Sequence, residues 1–271
     1  MDLSTTALKA RPEGMTEAEW HLRLQLAACY RVFSLLGWTE LIFNHITMRV
    51  AAPEGASDGS SDGSSDKHYL INPFGLHYSE VTASNLIKVG LDGEPVHKTP
   101  YTVNRAGFVI HSAIHAARPD AHCIMHIHST AGMAVACKEA GLGSDNFYSA
   151  MIAGDVAYHD YEGVTTRTDE QVHLVESLGS KHCMILRNHG LLACGESIPD
   201  AFFQMWTLNR ACEIQLAAAS IPGPNRALTP AAIESSLLKQ HRSVDPEGRV
   251  QPKVFDAMVR RAGITSYDML V

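Results

Sequence analysis

Ala121-His122-Cys123-Ile124-Met125-His126-Ile127-His128-Ser129 is the stretch on which the reading of this chain turns. It reads as a short buried strand. With a side-chain period of two, Ala121, Cys123, Met125 and Ile127 share one face, and His122, Ile124, His126 and His128 share the other. Residues two apart on one face have Cβ atoms roughly 7 Å apart, so His126 and His128 can hold one metal ion between them. The competing reading is a chance His-x-His in a chain with 15 histidines, filling core or surface positions. Position favours the metal, because two imidazoles on an otherwise apolar strand need partners: an unpaired buried polar group costs about 1–3 kcal/mol. Two ligands do not complete a site, so a third is expected from elsewhere in the chain.

Upstream of this strand, Arg118-Pro119-Asp120 breaks a helix predicted over Ala106–Ala117, with Asn104 able to cap it. His111 and His115 lie four apart on one face of that helix, with His115 read as a surface or interface residue. Further back, Thr16 caps a helix that carries Trp20, Leu24, Ala27, Ala28, Val32 and Leu35 at helical spacing and stops at Gly37, with Glu19 completing a capping box. Ile46–Val50 and His68–Ile71 read as paired strands joined through Ser57–Asp66, a run built only of Ser, Asp and Gly that is expected to be a flexible hairpin tip. Leu86–Val89 reads as a further strand, Asp92-Gly93 as a turn and Pro95–His97 as its return.

Downstream, Ser129-Thr130 caps a helix expected to run to Gly141, and Thr168 caps another that stops at Gly179. Two strands follow, His182–Leu186 and Leu191–Cys194, joined by the polar turn Arg187-Asn188-His189-Gly190. A turn held at both ends by strands is a good place for the missing ligand, which makes His189 the third candidate. Ser197 with Asp200 opens a long helix to Ala219, and short helices are expected near Pro230–Gln240 and Lys253–Ala262. Strands in the middle flanked by helices give an α/β class: one domain with helices on both faces of its sheet. The expected division is a loose arm over 1–15, the domain over 16–220, and a C-terminal helical extension over 221–271 that packs on the domain or on a neighbouring subunit.

Composition limits the partners. Of 271 residues, 45% are hydrophobic and 19% charged, an ordinary globular balance. A formal net charge of -7 argues against a nucleic-acid or anionic-membrane partner, and no apolar run reaches the ~18 residues that span a bilayer. The six cysteines form no C-x-x-C pair and sit mostly in apolar segments, as expected of reduced thiols in a cytoplasmic protein.

Arg118-Pro119-Asp120, the His126-Ile127-His128-Ser129 strand and Leu186-Arg187-Asn188-His189-Gly190-Leu191-Leu192 resemble, in order, the motifs of the class II aldolase/adducin family, over roughly residues 17–220. The resemblance implies that His126, His128 and His189 bind a divalent metal, with zinc expected and iron or manganese as alternatives. It also implies a three-layer αβα domain around a largely antiparallel central sheet, and a homotetramer with the active site between subunits. The sugar-phosphate aldolases of that family carry a Glu at the position matched here by Gly107, and a phosphate-cradling loop where this chain has Leu41-Ile42-Phe43-Asn44-His45. Both departures resemble the adducin-like branch.

The expectation is therefore a metal-dependent lyase, cleaving a C–C bond or decarboxylating a small carbonyl compound without phosphate. His111 is the candidate base in place of the missing Glu, or a histidine supporting a ligand from behind. Asn44, His45 and Asn104 are candidate substrate-binding residues. The missing side chain at Gly107 is expected to leave a gap beside the metal. A non-haem iron oxygenase on the same three histidines and a non-enzymatic, adducin-like scaffold are the alternatives.

Overall fold

The computed structural model describes residues 9–50, 68–163, 170–237 and 250–271. Among them a seven-stranded sheet runs in the order β3-β2-β1-β4-β7-β6-β5. The strands are β1 (His45–Val50), β2 (His68–Ile71), β3 (Ile87–Gly90), β4 (Cys123–Ile127), β5 (Val156–His159), β6 (Cys183–Leu186) and β7 (Gly190–Gly195). All neighbours pair antiparallel except β5 and β6, which are parallel. The helices are α1 (Glu17–Leu36), α2 (Arg105–Ala117), α3 (Thr130–Ala136), α4 (Phe147–Met151), α5 (Glu170–Leu178), α6 (Ile198–Ala219), α7 (Pro230–Ser236) and α8 (Val250–Arg261).

β4 sits in the middle, flanked by β1 and β7, and all five of its residues are buried. Its alternation divides the core. Cys123, Met125 and Ile127 join Ile46, Met48 and Val50 of β1 in the larger core, under α1, α6 and α8. Ile124 turns to the other face, where Ile110 and Ile114 of α2 meet Leu174 and Leu178 of α5. Helices therefore cover both faces, giving the expected αβα layering. Ala121 departs from the expected face: it precedes the strand and packs with Ile124 on the α2–α5 side.

Helix ends follow local chemistry. The Thr16 hydroxyl accepts from the Glu19 N–H, and Gly37 closes α1 at φ 71°. The reciprocal half of the expected capping box is absent, because the Glu19 carboxylate instead pairs with Arg23 at 3.0 Å and Lys88 at 2.9 Å. Ser129 caps α3, which ends at Ala136, short of the expected Gly141. Pro95–His97 does not form a return strand; a single bridge, Val89 to Pro95, marks the contact, and proline has no N–H to give a ladder. The chain at 147–159, left unassigned by the periodicity, holds α4 and β5. The Ser57–Asp66 tip and the Thr168 cap lie outside the described residues.

The C-terminal segment packs on its own domain. Phe255 and Val259 of α8 are buried in the core shared with α1 and α6, and Ala83 donates its N–H to the Leu270 carbonyl at 2.7 Å. No described helix is long and apolar enough to cross a membrane.

Candidate metal centre

The three candidate ligands come from two adjacent places in the sheet. His126 is in β4, His128 one step beyond its end, and His189 in the turn between β6 and β7. The turn is pinned from several sides. Asn188 takes the left-handed conformation at φ 57°, its N–H bonds the Ala136 carbonyl at 3.1 Å, and the His189 N–H bonds Leu186 at 3.1 Å. The Arg187 guanidinium lies 4.3 Å above the Tyr158 ring and donates to the carbonyl of Lys138 at 2.6 Å. Gly190 is a glycine for reasons of space: a Cβ there would stand 2.6 Å from the Ile127 carbonyl oxygen and 2.9 Å from the His128 ring.

One nitrogen from each of His126, His128 and His189 lies within 4.8 Å of the other two, and Nε2 of His126 stands 2.8 Å from Nε2 of His128. His126 is buried; His128 and His189 are half-buried. The Nδ1–H of His126 donates to the Leu191 carbonyl at 2.9 Å, which leaves Nε2 as its lone-pair nitrogen. The N–H of His128 is held by Oδ1 of Asn44 at 3.0 Å. Burial holds all three rings below the usual histidine range, with His189 pulled down to about 4 and assisted by the His128 charge. They are neutral at pH 7, the state in which imidazole binds a metal. The donor set, its tautomer and its protonation fit one divalent ion.

The remaining sequence candidates fall around this cluster in unequal ways. Asn44 is buried, and its side chain carries the His128 backbone. His45 lies opposite His126 in the β1–β4 register, with ring centroids 5.0 Å apart. His111 has both nitrogens engaged, Nε2 with His45 at 3.0 Å and Nδ1 with Thr47 at 2.7 Å, so neither is turned to the three-histidine cluster. His115 is not at the surface: it is 4% exposed and bonded to Thr47 and the Ala121 carbonyl. Asn104 directly precedes α2, its carbonyl accepting from the Phe108 N–H. The gap expected at Gly107 is filled, since a Cβ there would stand 2.8–3.1 Å from the ring atoms of His45.

Beside His128 opens a cavity of about 360 Å³, walled by Trp38, Glu40, Asn44, Ser129 and Glu213 among others. Its described lining contains two carboxylates and no lysine or arginine. Glu40, Glu213 and Thr47 escaped the sequence reading. The two glutamates reach the cavity through a loop and the far half of α6, a convergence no local pattern encodes, but Thr47 could have been found from β1 alternation, which puts it on the face of His45 and opposite Ile124.

Comparison with known proteins places this architecture. The class II aldolase and adducin N-terminal domain family matches residues 24–216. A protein of Caulobacter vibrioides, provisionally named an aldolase class 2 protein, is 43% identical over 238 residues, 88% of this chain and 87% of its own. Alpha-adducin of Mus musculus is 49% identical over 208 residues, 75% of this chain and 26% of that protein. Among solved structures, an aldolase II superfamily protein from Pseudomonas syringae aligns at TM-score 0.81 and 37% identity, covering 95% of this chain and 98% of that one.

Proposed function

Since the chain belongs to the class II aldolase and adducin family, we propose that it is a metal-dependent lyase acting on a small, non-phosphorylated carbonyl compound. The observation that carries this is the convergence of three neutral imidazoles beside a cavity of small-molecule size. His126, His128 and His189 would hold the ion, zinc foremost, with iron or manganese as alternatives. When bound, such an ion supplies Lewis acidity to a carbonyl oxygen, which favours C–C cleavage or decarboxylation next to it.

The protein's own residues prepare that centre. Leu191 fixes the tautomer of His126, Asn44 fixes the backbone of His128, and Gly190 lets the β6–β7 turn close against both rings. The Glu40 carboxylate in the cavity wall disfavours a phosphate dianion by like-charge repulsion, whereas that of Glu213 is already paired with Arg210 at 2.7 Å. The domain would span 16–220, working as a homotetramer in the cytoplasm.

Metal analysis of protein purified without added ions tests the reading. About one divalent ion per chain is expected, with affinity falling roughly a hundredfold or more in His126→Ala, beyond the 10–100-fold typical of losing an outer partner. Full occupancy in His126→Ala would overturn the ligand assignment. A second reading, a binding domain without catalysis, is favoured by the 49% identity to alpha-adducin. It predicts no bound ion and no turnover of hydroxyketones or keto acids.

A further inference from the structure

Behind the metal centre, between β1 and α2, lies a line of buried polar side chains that the proposed lyase reading does not use. His45, Thr47, His111 and His115 are 2%, 0%, 0% and 4% exposed. They form one continuous series: His45 Nδ1 to His111 Nε2 at 3.0 Å, His111 Nδ1 to Thr47 Oγ1 at 2.7 Å, Thr47 Oγ1 to His115 Nε2 at 2.8 Å, and His115 Nδ1 to the Ala121 carbonyl at 3.0 Å. The far end decides every hydrogen. A carbonyl only accepts, so His115 Nδ1 carries the N–H. A neutral imidazole has one N–H, so His115 Nε2 accepts, and the Thr47 hydroxyl donates to it. That hydroxyl has spent its only hydrogen, so it accepts from His111 Nδ1–H. His111 Nε2 is then an acceptor, His45 Nδ1 must donate, and His45 Nε2 is bare.

We propose that Thr47, His111 and His115 form a tautomer lock, anchored on the Ala121 carbonyl, that holds His45 with a bare Nε2 as a hydrogen-bond acceptor beside the three-histidine centre. The ring is placed for this. It faces His126 across the β1–β4 pair. Its Nε2 lies 3.1 Å from the point where a side chain at 107 would begin. Burial, with His128 and His189 as the nearest disfavouring charges, keeps the ring neutral. The ligand class this acceptor selects is one that brings an O–H or N–H to the centre. Thr47, His111 and His115 are positioning residues, since they act only through His45.

The centre's role as a metal site rests on the lyase reading, but the lock does not, so the test uses metal-free protein. Neutron diffraction from deuterated crystals reads each ring hydrogen, and ¹⁵N shifts of labelled histidine read the same in solution. The expected wild-type result is deuterium on Nδ1 of His45, His111 and His115, and none on His45 Nε2. Thr47→Val leaves His111 Nδ1 without an acceptor, so His111 and His45 are expected to shift toward their Nε2–H forms. Thr47→Ser keeps the hydroxyl, and His115→Gln keeps an acceptor for it and a donor to Ala121; both are expected to restore the wild-type pattern. A hydrogen on His45 Nε2 in the wild type overturns the proposal, as does a folded Thr47→Val protein with unchanged tautomers. If Thr47→Val does not fold, the wild-type and Thr47→Ser hydrogens still decide. Absence of bound metal in the native protein, with the tautomers as expected, would defeat the lyase reading and leave the lock standing.

Discussion

At Gly107 the only side-chain atom is a hydrogen, and the His45 ring occupies the space beyond it. Two effects of Gly107→Ala compete. Alanine is better than glycine inside a helix by roughly 1 kcal/mol. Against that, the new Cβ falls 2.8 Å from a ring held by His111 and packed beside His126, and overpacking of a fixed group costs about 1–3 kcal/mol. The clash is expected to win: denaturant titration should show a net loss of up to about 2 kcal/mol, and metal affinity should fall. Gly107→Glu should lose more on both counts, the reverse of what an open gap beside the metal would give. Unchanged stability in Gly107→Ala would mean that the His45 ring moves aside freely. Sequence could show that a carboxylate is missing at 107 and that His45 stands nearby in the strand order. It could not show that one fills the space left by the other, because that contact joins residues 62 positions apart through two elements.

Between β1 and α2 the contact layer is made of imidazoles where aliphatic side chains would ordinarily sit, and this gives the element a pH response. Burial pulls His45 and His115 down to about 3, with His128 and Arg49 respectively as the next causes. In the unfolded chain both return to about 6.5. Between those values the unfolded state binds more protons, so stability rises with pH and is lost as pH falls from about 6.5 toward 3. From pH 6.5 to 5 each ring gives up roughly 1.5 kcal/mol. Urea titrations of metal-free protein at pH 7.5 and 5.0 should differ by about 3 kcal/mol or more. A flat profile would show that these rings take up protons in the folded state as readily as in the unfolded one. At this scale the sequence was legible where periodicity was strong: α1, α2, β4 and α6 all stand within a few residues of their predicted bounds. It was poor where elements are short. β5 is four residues, half of them inward, and its parallel partner β6 lies across a helix. No window of that length separates a strand from a loop.

Across the whole molecule, the division into two helical layers followed from one alternating strand, and the centre followed from two motifs some sixty residues apart. What the sequence left out is how the surface is shared. Leu41 and Phe43, just before β1, are 74% and 46% exposed, and Tyr161, 6.2 Å from the His189 ring by centroid, is 52% exposed. Exposed apolar side chains beside His189 and between the cavity-lining Glu40 and Asn44 in the chain suit a surface that a second copy of the chain closes. Light scattering at micromolar concentration should give a tetramer, and Phe43→Glu should lower the mass. A wild-type monomer would count against shared sites. The central position of β4 has one more consequence, in the order of events as the chain is made. Its β1 neighbour has already been synthesised when β4 appears, but β7 follows only after about 65 further residues, several seconds at ribosomal speeds of ~5–20 residues per second. Throughout that interval β4 is an edge strand with one wholly apolar face, the kind of edge that invites wrong pairing. The nascent chain is therefore most vulnerable between Ile127 and Gly190, and the three histidines first meet only when that exposure ends.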